Sequence, residues 1–337
     1  MVAAYYPVDD DALLDWNECP IGPPPLAVKR VVDAANRLHR YPRGLTEEVT
    51  ASAAGYFGVA TEQLMLTSGV DEATDITLSL GAQAWGLEPG FDGYRDRATA
   101  MGKPFRPIPL GRDWQPVAPL MPDPGGEDIV YLAQPNNPTG NFLTAGWLDT
   151  ALATGSYIFV DETYQEFSSQ RSLLEQLPQQ GPRLLIYRSL SKAAGLAGIR
   201  LGCVIGDPVT IARLYPLRRF MPIDAVSLNA ALGLFEEPGF IKQVVSYVRD
   251  ARAALTAVLH ASRIFDEVCE SAANFVLAKP SAAAHGMLAG QFALDRVRVK
   301  DCTVLGLPGW LRISVGSADD QRRLAESLNC VAVALST

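Results

Sequence analysis

Ser189-Leu190-Ser191-Lys192-Ala193-Ala194-Gly195-Leu196-Ala197-Gly198-Ile199-Arg200-Leu201-Gly202 is the stretch on which the reading of this chain turns. It follows the apolar run at 184–187, which is too short for a helix and reads as a buried parallel strand. The segment therefore leaves a sheet at its carboxyl edge, where open α/β folds place their sites. A lysine there, flanked by hydroxyls and small residues, can form an imine with an aldehyde cofactor. Ser189, Ser191 and Arg200 can bind a phosphate through charge-assisted hydrogen bonds. A lone S-x-S-K equally reads as a surface lysine in a loop, so the flanking sequence decides.

Upstream, two more runs of the same kind stand at 128–133 and 157–160, each followed by polar or turn residues. Residues 63–67 and 201–205 read as further strands and 71–80 as a helix. This half is α/β. The C-terminal third has another texture: a long helix over 237–262, a strand at 274–278, a helix at 283–292, strands near 298 and 311–315, and a last helix from about 318. That is an α+β module. The boundary falls near 225, giving a large α/β domain over 41–225 and a smaller α+β domain from 226–337 together with residues 1–40. Pro-rich stretches at 20–25 and 116–124 read as connectors.

The ends of those strands carry chemistry. Asp161 closes one of them, and an acidic group at the sheet edge can pair with a protonated pyridine nitrogen; alone it also reads as a helix N-cap. Tyr164 can donate to a phenolic oxygen, or be a packed aromatic. Asn137, in Gln134-Pro-Asn-Asn-Pro-Thr-Gly140, can reach the same oxygen, in a segment that also suits a plain turn; the Asn137–Pro138 bond is a candidate for cis. The backbone N–H groups of Gly69, Val70 and Asp71 at a helix start make an anion site, with Asp71 readable as the cap. Arg312, in the apolar run Trp310-Leu-Arg-Ile-Ser-Val315, needs an anionic partner: a substrate carboxylate, held bidentately, or an internal salt bridge.

Composition narrows the class. The 337 residues are 48% hydrophobic and 20% charged, with a net charge of −8; a soluble globular enzyme fits, and nucleic acid or an anionic membrane does not suit so acidic a chain. No apolar run approaches the roughly 20 residues that span a bilayer, and residues 1–11 lack the basic-then-apolar order of a signal peptide. Five cysteines without a C-x-x-C pair point to free thiols in a reducing cytoplasm. Three histidines argue against a metal site or a Ser-His-Asp triad.

Taken in order, these segments resemble fold-type I pyridoxal 5′-phosphate (PLP) enzymes of the class I/II aminotransferase group, with the nearest likeness to histidinol-phosphate aminotransferases. The likeness runs from Trp16 to Gly316, about nine-tenths of the chain. Asn17-Glu18-Cys19-Pro20 with Gly22-Pro23 is similar to the family's N-E-N-P…G-P, Arg40-Tyr41-Pro42 to R-Y-P, Gly69-Val70-Asp71-Glu72 to G-x-D-E, and Pro89-Gly-Phe91-Asp-Gly-Tyr94 to P-x-Y-x-x-Y. Asn136-Asn137-Pro138-Thr139-Gly140, Asp161-Glu162-x-Tyr164-x-Glu166-Phe167 and the lysine motif also match. The resemblance implies a large domain with a mixed, mostly parallel sheet. It further implies a homodimer with shared sites, Tyr41 reaching the neighbouring subunit's cofactor phosphate, Phe91 over the pyridine ring, Lys192 as Schiff base and proton carrier, and Asn17, Lys300 and Arg312 toward the substrate. The implied activity is ping-pong transfer of an amino group between an amino acid or amino-alcohol phosphate and a 2-oxo acid.

Departures gather at the substrate end. Cys19 stands for asparagine, Phe91 for tyrosine, and the spacing from Asp71 to Pro89 is short. Lys300 stands where the family has an arginine associated with the substrate phosphate; lysine keeps the charge and loses the fork. Lys300-Asp301-Cys302 with Gly306-Leu307 is also similar to a segment of threonine-phosphate decarboxylases. A decarboxylase, or another non-transaminating PLP enzyme, is therefore the alternative; a non-catalytic PLP-fold binding domain is the third reading.

Overall fold

The computed structural model describes residues 10–117 and 128–336. The 116–124 connector expected from sequence lies mostly outside them, as do residues 1–9. Among the described residues, twelve strands form two sheets.

β1 is Ala12–Leu14. β2 (Leu64–Thr67), β3 (Ala84–Glu88), β4 (Phe105–Pro109), β5 (Ile129–Ala133), β6 (Tyr157–Asp161), β7 (Leu184–Ser189) and β8 (Gly202–Gly206) make a seven-stranded sheet in the order β2-β8-β7-β6-β5-β3-β4. β4, β3, β5, β6 and β7 run parallel. β8 is antiparallel to both its neighbours. The sheet is thus mixed and mostly parallel. β5 is buried along its whole length, because helices cover both faces and leave no polar side to alternate with.

β9 (Phe265–Val268), β10 (Phe275–Pro280), β11 (Val297–Asp301) and β12 (Leu311–Ser314) join β1 in a five-stranded sheet, ordered β1-β11-β12-β10-β9. β1 pairs parallel with β11, Ala12 opposite Val297, so the start of the chain is tied to its end. The long helix Gly239–Ser262 buries Phe240, Val244, Val248, Leu255 and Leu259 along one stripe, the helical repeat expected of an amphipathic face. Several helices start at side-chain caps, among them those where Asp224 accepts from Ser227 N–H at 2.9 Å and Asp207 from Val209 N–H at 2.9 Å, as short acidic side chains do.

Two corrections apply to the sequence reading. β1, β3, β4 and β9 are missing from it; β4, Phe105-Arg-Pro-Ile-Pro109, carries two prolines, which an edge strand tolerates. The helix expected over 71–80 runs Gly69–Thr77 and tightens into a 3₁₀ turn at Leu78–Leu80. Its cap residue is Ser68, not Asp71, and Ser68 N–H donates to Glu72 Oε2 at 2.6 Å. Asp71 sits in the first turn. All five cysteines are unpaired, and no helix among the described residues is long and apolar enough to cross a membrane.

Candidate functional site

A cavity of about 580 Å³ opens at the carboxyl ends of β5, β6 and β7, in the size range of ligand pockets. The large sheet brings Val70, Phe91, Asn137, Asp161, Tyr164, Ser189, Ser191, Lys192 and Arg200 to its wall; the five-stranded sheet adds Lys300 and Arg312; the segment after β1 adds Asn17. Of the residues singled out from sequence, three are not in its lining. Gly69 and Asp71 stand just behind Arg200. Tyr41 is 72% exposed on the surface.

Asp161 ends β6 with its carboxylate buried. Oδ1 accepts from Thr163 N–H at 2.9 Å and Thr163 Oγ1 at 2.5 Å, and Oδ2 accepts from Tyr94 Oη at 2.8 Å. Burial pushes the carboxyl up; the Thr163 and Tyr94 hydrogen bonds and the Lys192 charge pull it back. Among the described residues no cation forms an ion pair with it, so its charge is directed at the cavity.

Lys192 donates from Nζ to the Trp16 carbonyl at 2.7 Å. Its ammonium is lowered to about 7, chiefly by burial and next by the Arg312 charge, with Glu18 and Asp161 opposing. A substantial share of the side chain is then the free, nucleophilic amine at neutral pH.

Arg312 is buried on β12 and forms no internal salt bridge among the described residues. Nη1 donates to Asn137 Oδ1 at 2.6 Å and Nη2 to the Asp15 carbonyl at 2.5 Å. Nε is buried without a partner. With Asn137 Oδ1 taken, its amide N–H₂ is the end that can donate into the cavity. Lys300 lies directly opposite Arg312 in the ladder, and residues opposite in an antiparallel pair share a face. Two cations therefore sit side by side at this end.

At the other end, the first N–H groups of the helix Gly69–Thr77 have no partner within the helix. Ser189 Oγ accepts from Ser191 N–H at 3.1 Å, and Arg200 Nη1 lies 3.5 Å from Ser191 Oγ. Arg200 Nη2 is 3.7 Å from Asp71 Oδ2. Gly69 has φ +74°, and a Cβ there would lie 2.9 Å from Arg200 Nη2; glycine is what lets the guanidinium lie against the loop. Hydroxyls, helix N–H groups and a guanidinium together suit a phosphate.

These features fit one elongated ligand. The donors at Gly69–Arg200 suit an anionic group, and the buried Asp161 carboxylate suits a basic group on the same cavity wall. The orphaned Arg312 Nε and the Gly69 cradle are the structural signs that the donor set is built for something outside the chain.

Several functional contacts escape a sequence reading. Tyr94, inside a recognisable motif, carries no signal that its hydroxyl reaches Asp161. Thr163 is visible only as the residue two after an aspartate, where Asx turns accept their bond. The carbonyls of Asp15 and Trp16 have no side-chain signature at all.

Residues 10–328 match the family described as Aminotransferase class I and II. A histidinol-phosphate aminotransferase of Symbiobacterium thermophilum is 30% identical over 94% of this chain and 89% of its own length. Among solved structures, the histidinol-phosphate aminotransferase of Clostridium acetobutylicum superposes with a TM-score of 0.86 at 19% identity, over 96% of this chain and all of that one. The histidinol-phosphate aminotransferase of Sinorhizobium meliloti, solved in complex with pyridoxal-5'-phosphate, gives a TM-score of 0.80 at 21% identity, over 96% and 90%.

Proposed function

This chain belongs to the class I and II aminotransferases, and on that footing we propose that it is a PLP-dependent aminotransferase. It moves an amino group between an amino acid or amino-alcohol phosphate and a 2-oxo acid in a ping-pong exchange. The observation that carries the reading is Lys192: an amine just past the end of β7, on the wall of a cavity that also holds a buried carboxylate and a phosphate-type donor cup.

PLP, when bound, supplies an aldehyde carbon for the lysine and a ring that takes up electrons from the substrate's Cα. The chain's own residues do the rest. Gly69, Val70, Asp71, Ser189, Ser191 and Arg200 would hold the phosphate, with Tyr41 reaching it from a second copy. Asp161 would hold a proton on the ring nitrogen. Asn137 and Tyr164 would donate to the ring oxygen, and Phe91 would cover the ring. Lys192 Nζ would carry the proton taken from Cα. Arg312 Nη and Nε donors would exchange the Asp15 carbonyl for a substrate carboxylate, with Lys300 beside it for a second anion.

Supporting the homodimer, apolar side chains stand out on the described surface: Phe220 is 89% exposed, Tyr41 72% and Leu38 56%. The working division is a large domain over 41–225 and a small one from 1–40 and 226–337, with the cavity between them; the expected location is the cytoplasm.

The test is spectroscopic. Purified protein loaded with PLP is mixed with candidate amino acids and amino-alcohol phosphates, and the cofactor absorbance is followed. Conversion to a pyridoxamine-type spectrum that a 2-oxo acid reverses is the expected result. Stoichiometric release of carbon dioxide instead would make it a decarboxylase.

A further inference from the structure

Resemblance directs Asn17 toward the substrate, yet its side-chain oxygen and nitrogen each bond within the protein. Its backbone N–H donates to Ser314 Oγ at 2.9 Å, and Ser314 Oγ donates back to Asn17 Oδ1 at 2.8 Å. Asn17 Nδ2 donates to Tyr164 Oη at 3.0 Å, and the Asn17 carbonyl accepts from Asn274 Nδ2 at 3.0 Å. All four residues are buried, between 0 and 5% exposed. Asn17 holds φ +56°, a left-handed conformation that asparagine tolerates better than most residues.

We propose that Asn17 is a positioning residue: it fixes the direction of the Tyr164 hydroxyl, so that the phenol donates into the cavity and does not accept from it. The inference rests on the PLP reading above and concerns a residue whose side-chain hydrogen bonds run to Tyr164 and Ser314.

The direction follows from counting protons. Ser314 Oγ accepts from a backbone N–H, which cannot turn round, so its own hydrogen must find an acceptor; Asn17 Oδ1 is the one it reaches. That locks the amide. Turned by 180°, it would aim Nδ2 at Ser314, where two donors would converge and the serine proton would be stranded. A buried unsatisfied polar group costs about 1–3 kcal/mol, enough to hold one orientation. The amide nitrogen, a donor only, then faces Tyr164 Oη and occupies an acceptor position. The phenol hydrogen is left to point away from Asn17, toward the cavity that Tyr164 lines. Burial holds the phenol above its ordinary range, so the hydrogen is there to give at neutral pH. Donation from the amide also polarises the O–H and strengthens its own donation.

The chain of bonds spans three elements: the segment after β1, the turn after β6 and the end of β12. A bond given by Tyr164 to a ring oxygen favours the form in which that oxygen is negative, and so lowers the pH at which the bound cofactor's absorbance changes.

The experiment titrates that absorbance in proteins carrying PLP: wild type, Ser314→Ala, Asn17→Leu and Tyr164→Phe, and then Ser314→Ala and Asn17→Leu each combined with Tyr164→Phe. Ser314→Ala frees the amide to turn its oxygen toward Tyr164 and should raise the midpoint by about one pH unit. Asn17→Leu, which offers the phenol neither donor nor acceptor, should move it in the same direction, so the test survives if one variant does not fold. In the Tyr164→Phe background neither substitution should move the midpoint further. Unchanged midpoints overturn the proposal, as does an equal shift with or without the tyrosine hydroxyl. A raised KM with a fixed midpoint assigns Asn17 to the substrate instead. A wild-type protein that takes up PLP without any titrating absorbance, or takes up none, overturns the cofactor reading itself.

Discussion

Tyr94 and Asp161 are joined by a 2.8 Å hydrogen bond, the phenol donating to Oδ2, between a helix that follows β3 and the tip of β6. The bond is one of the forces that keep a buried carboxylate ionised against the cost of burial. Removing the donor shifts the balance toward the neutral acid. Tyr94→Phe should therefore move the acid limb of the kcat/KM profile to higher pH and leave the alkaline limb in place. It should also cost about 1–3 kcal/mol in urea unfolding, because one buried acceptor is left unmet. A pH profile superimposable on wild type would mean that Asp161 does not depend on this donor.

Lys192 should react with PLP in a pH-dependent way that follows its lowered ammonium. The free amine becomes the major form above about 7, so uptake by apoprotein, trapped with borohydride, should rise through that pH and not near the ordinary lysine value. Arg312 contributes to the lowering. Arg312→Gln should hence raise the midpoint and reduce trapping at neutral pH. Lys192→Ala should bind the cofactor and show no trapping; a labelled alanine variant would place the reactive lysine elsewhere.

Gly69→Ala combines two penalties. The φ of +74° is unfavourable for any side chain, and the added methyl would approach Arg200 Nη2 to 2.9 Å. The guanidinium must move from the cup. Cofactor affinity, measured by fluorescence titration of apoprotein, should fall roughly tenfold, the equivalent of about 1.4 kcal/mol, and the strained backbone should also cost the apoprotein about 1 kcal/mol in urea unfolding.

Behind the cavity, Arg188 on β7 pairs with Glu162 at 2.9 Å and Glu166 at 2.5 Å, all three largely withdrawn from solvent. The residues flanking Arg188 and Glu162 in sequence are Ser189 and Asp161. Arg188→Met would strand two carboxylates and should destabilise the protein by about 3–5 kcal/mol, read from urea denaturation at neutral pH. A loss under about 1 kcal/mol, the range of exposed pairs, would show that the cluster is solvated in solution.

How much of this is legible in the sequence depends on what kind of bond is involved. The strands 157–161 and 184–189 announce themselves because burial on both faces makes them apolar nearly throughout. Lys192, Asp161 and Asn137 can be placed because each follows or closes such a strand. β4 stays hidden because its prolines satisfy a rule about central strands that does not bind at an edge. The sequence leads one to expect a carboxylate beside Arg312; its partners are the Asn137 amide and the Asp15 carbonyl, and backbone acceptors leave no trace in residue identity. Position alone directs Asn17 to the substrate, since nothing in the sequence couples residue 17 to residues 164, 274 and 314.

That coupling bears on the order in which the molecule is made. Asp15, Trp16 and Asn17 reach Arg312, Lys192 and Tyr164 respectively, so this stretch finds its partners only among residues synthesised far later. Contacts of such long sequence separation form slowly. The scaffold around β5, β6 and β7 can assemble while the chain is still growing, but the cavity is closed only after Ser314 has been added, so competence for catalysis comes later than that scaffold.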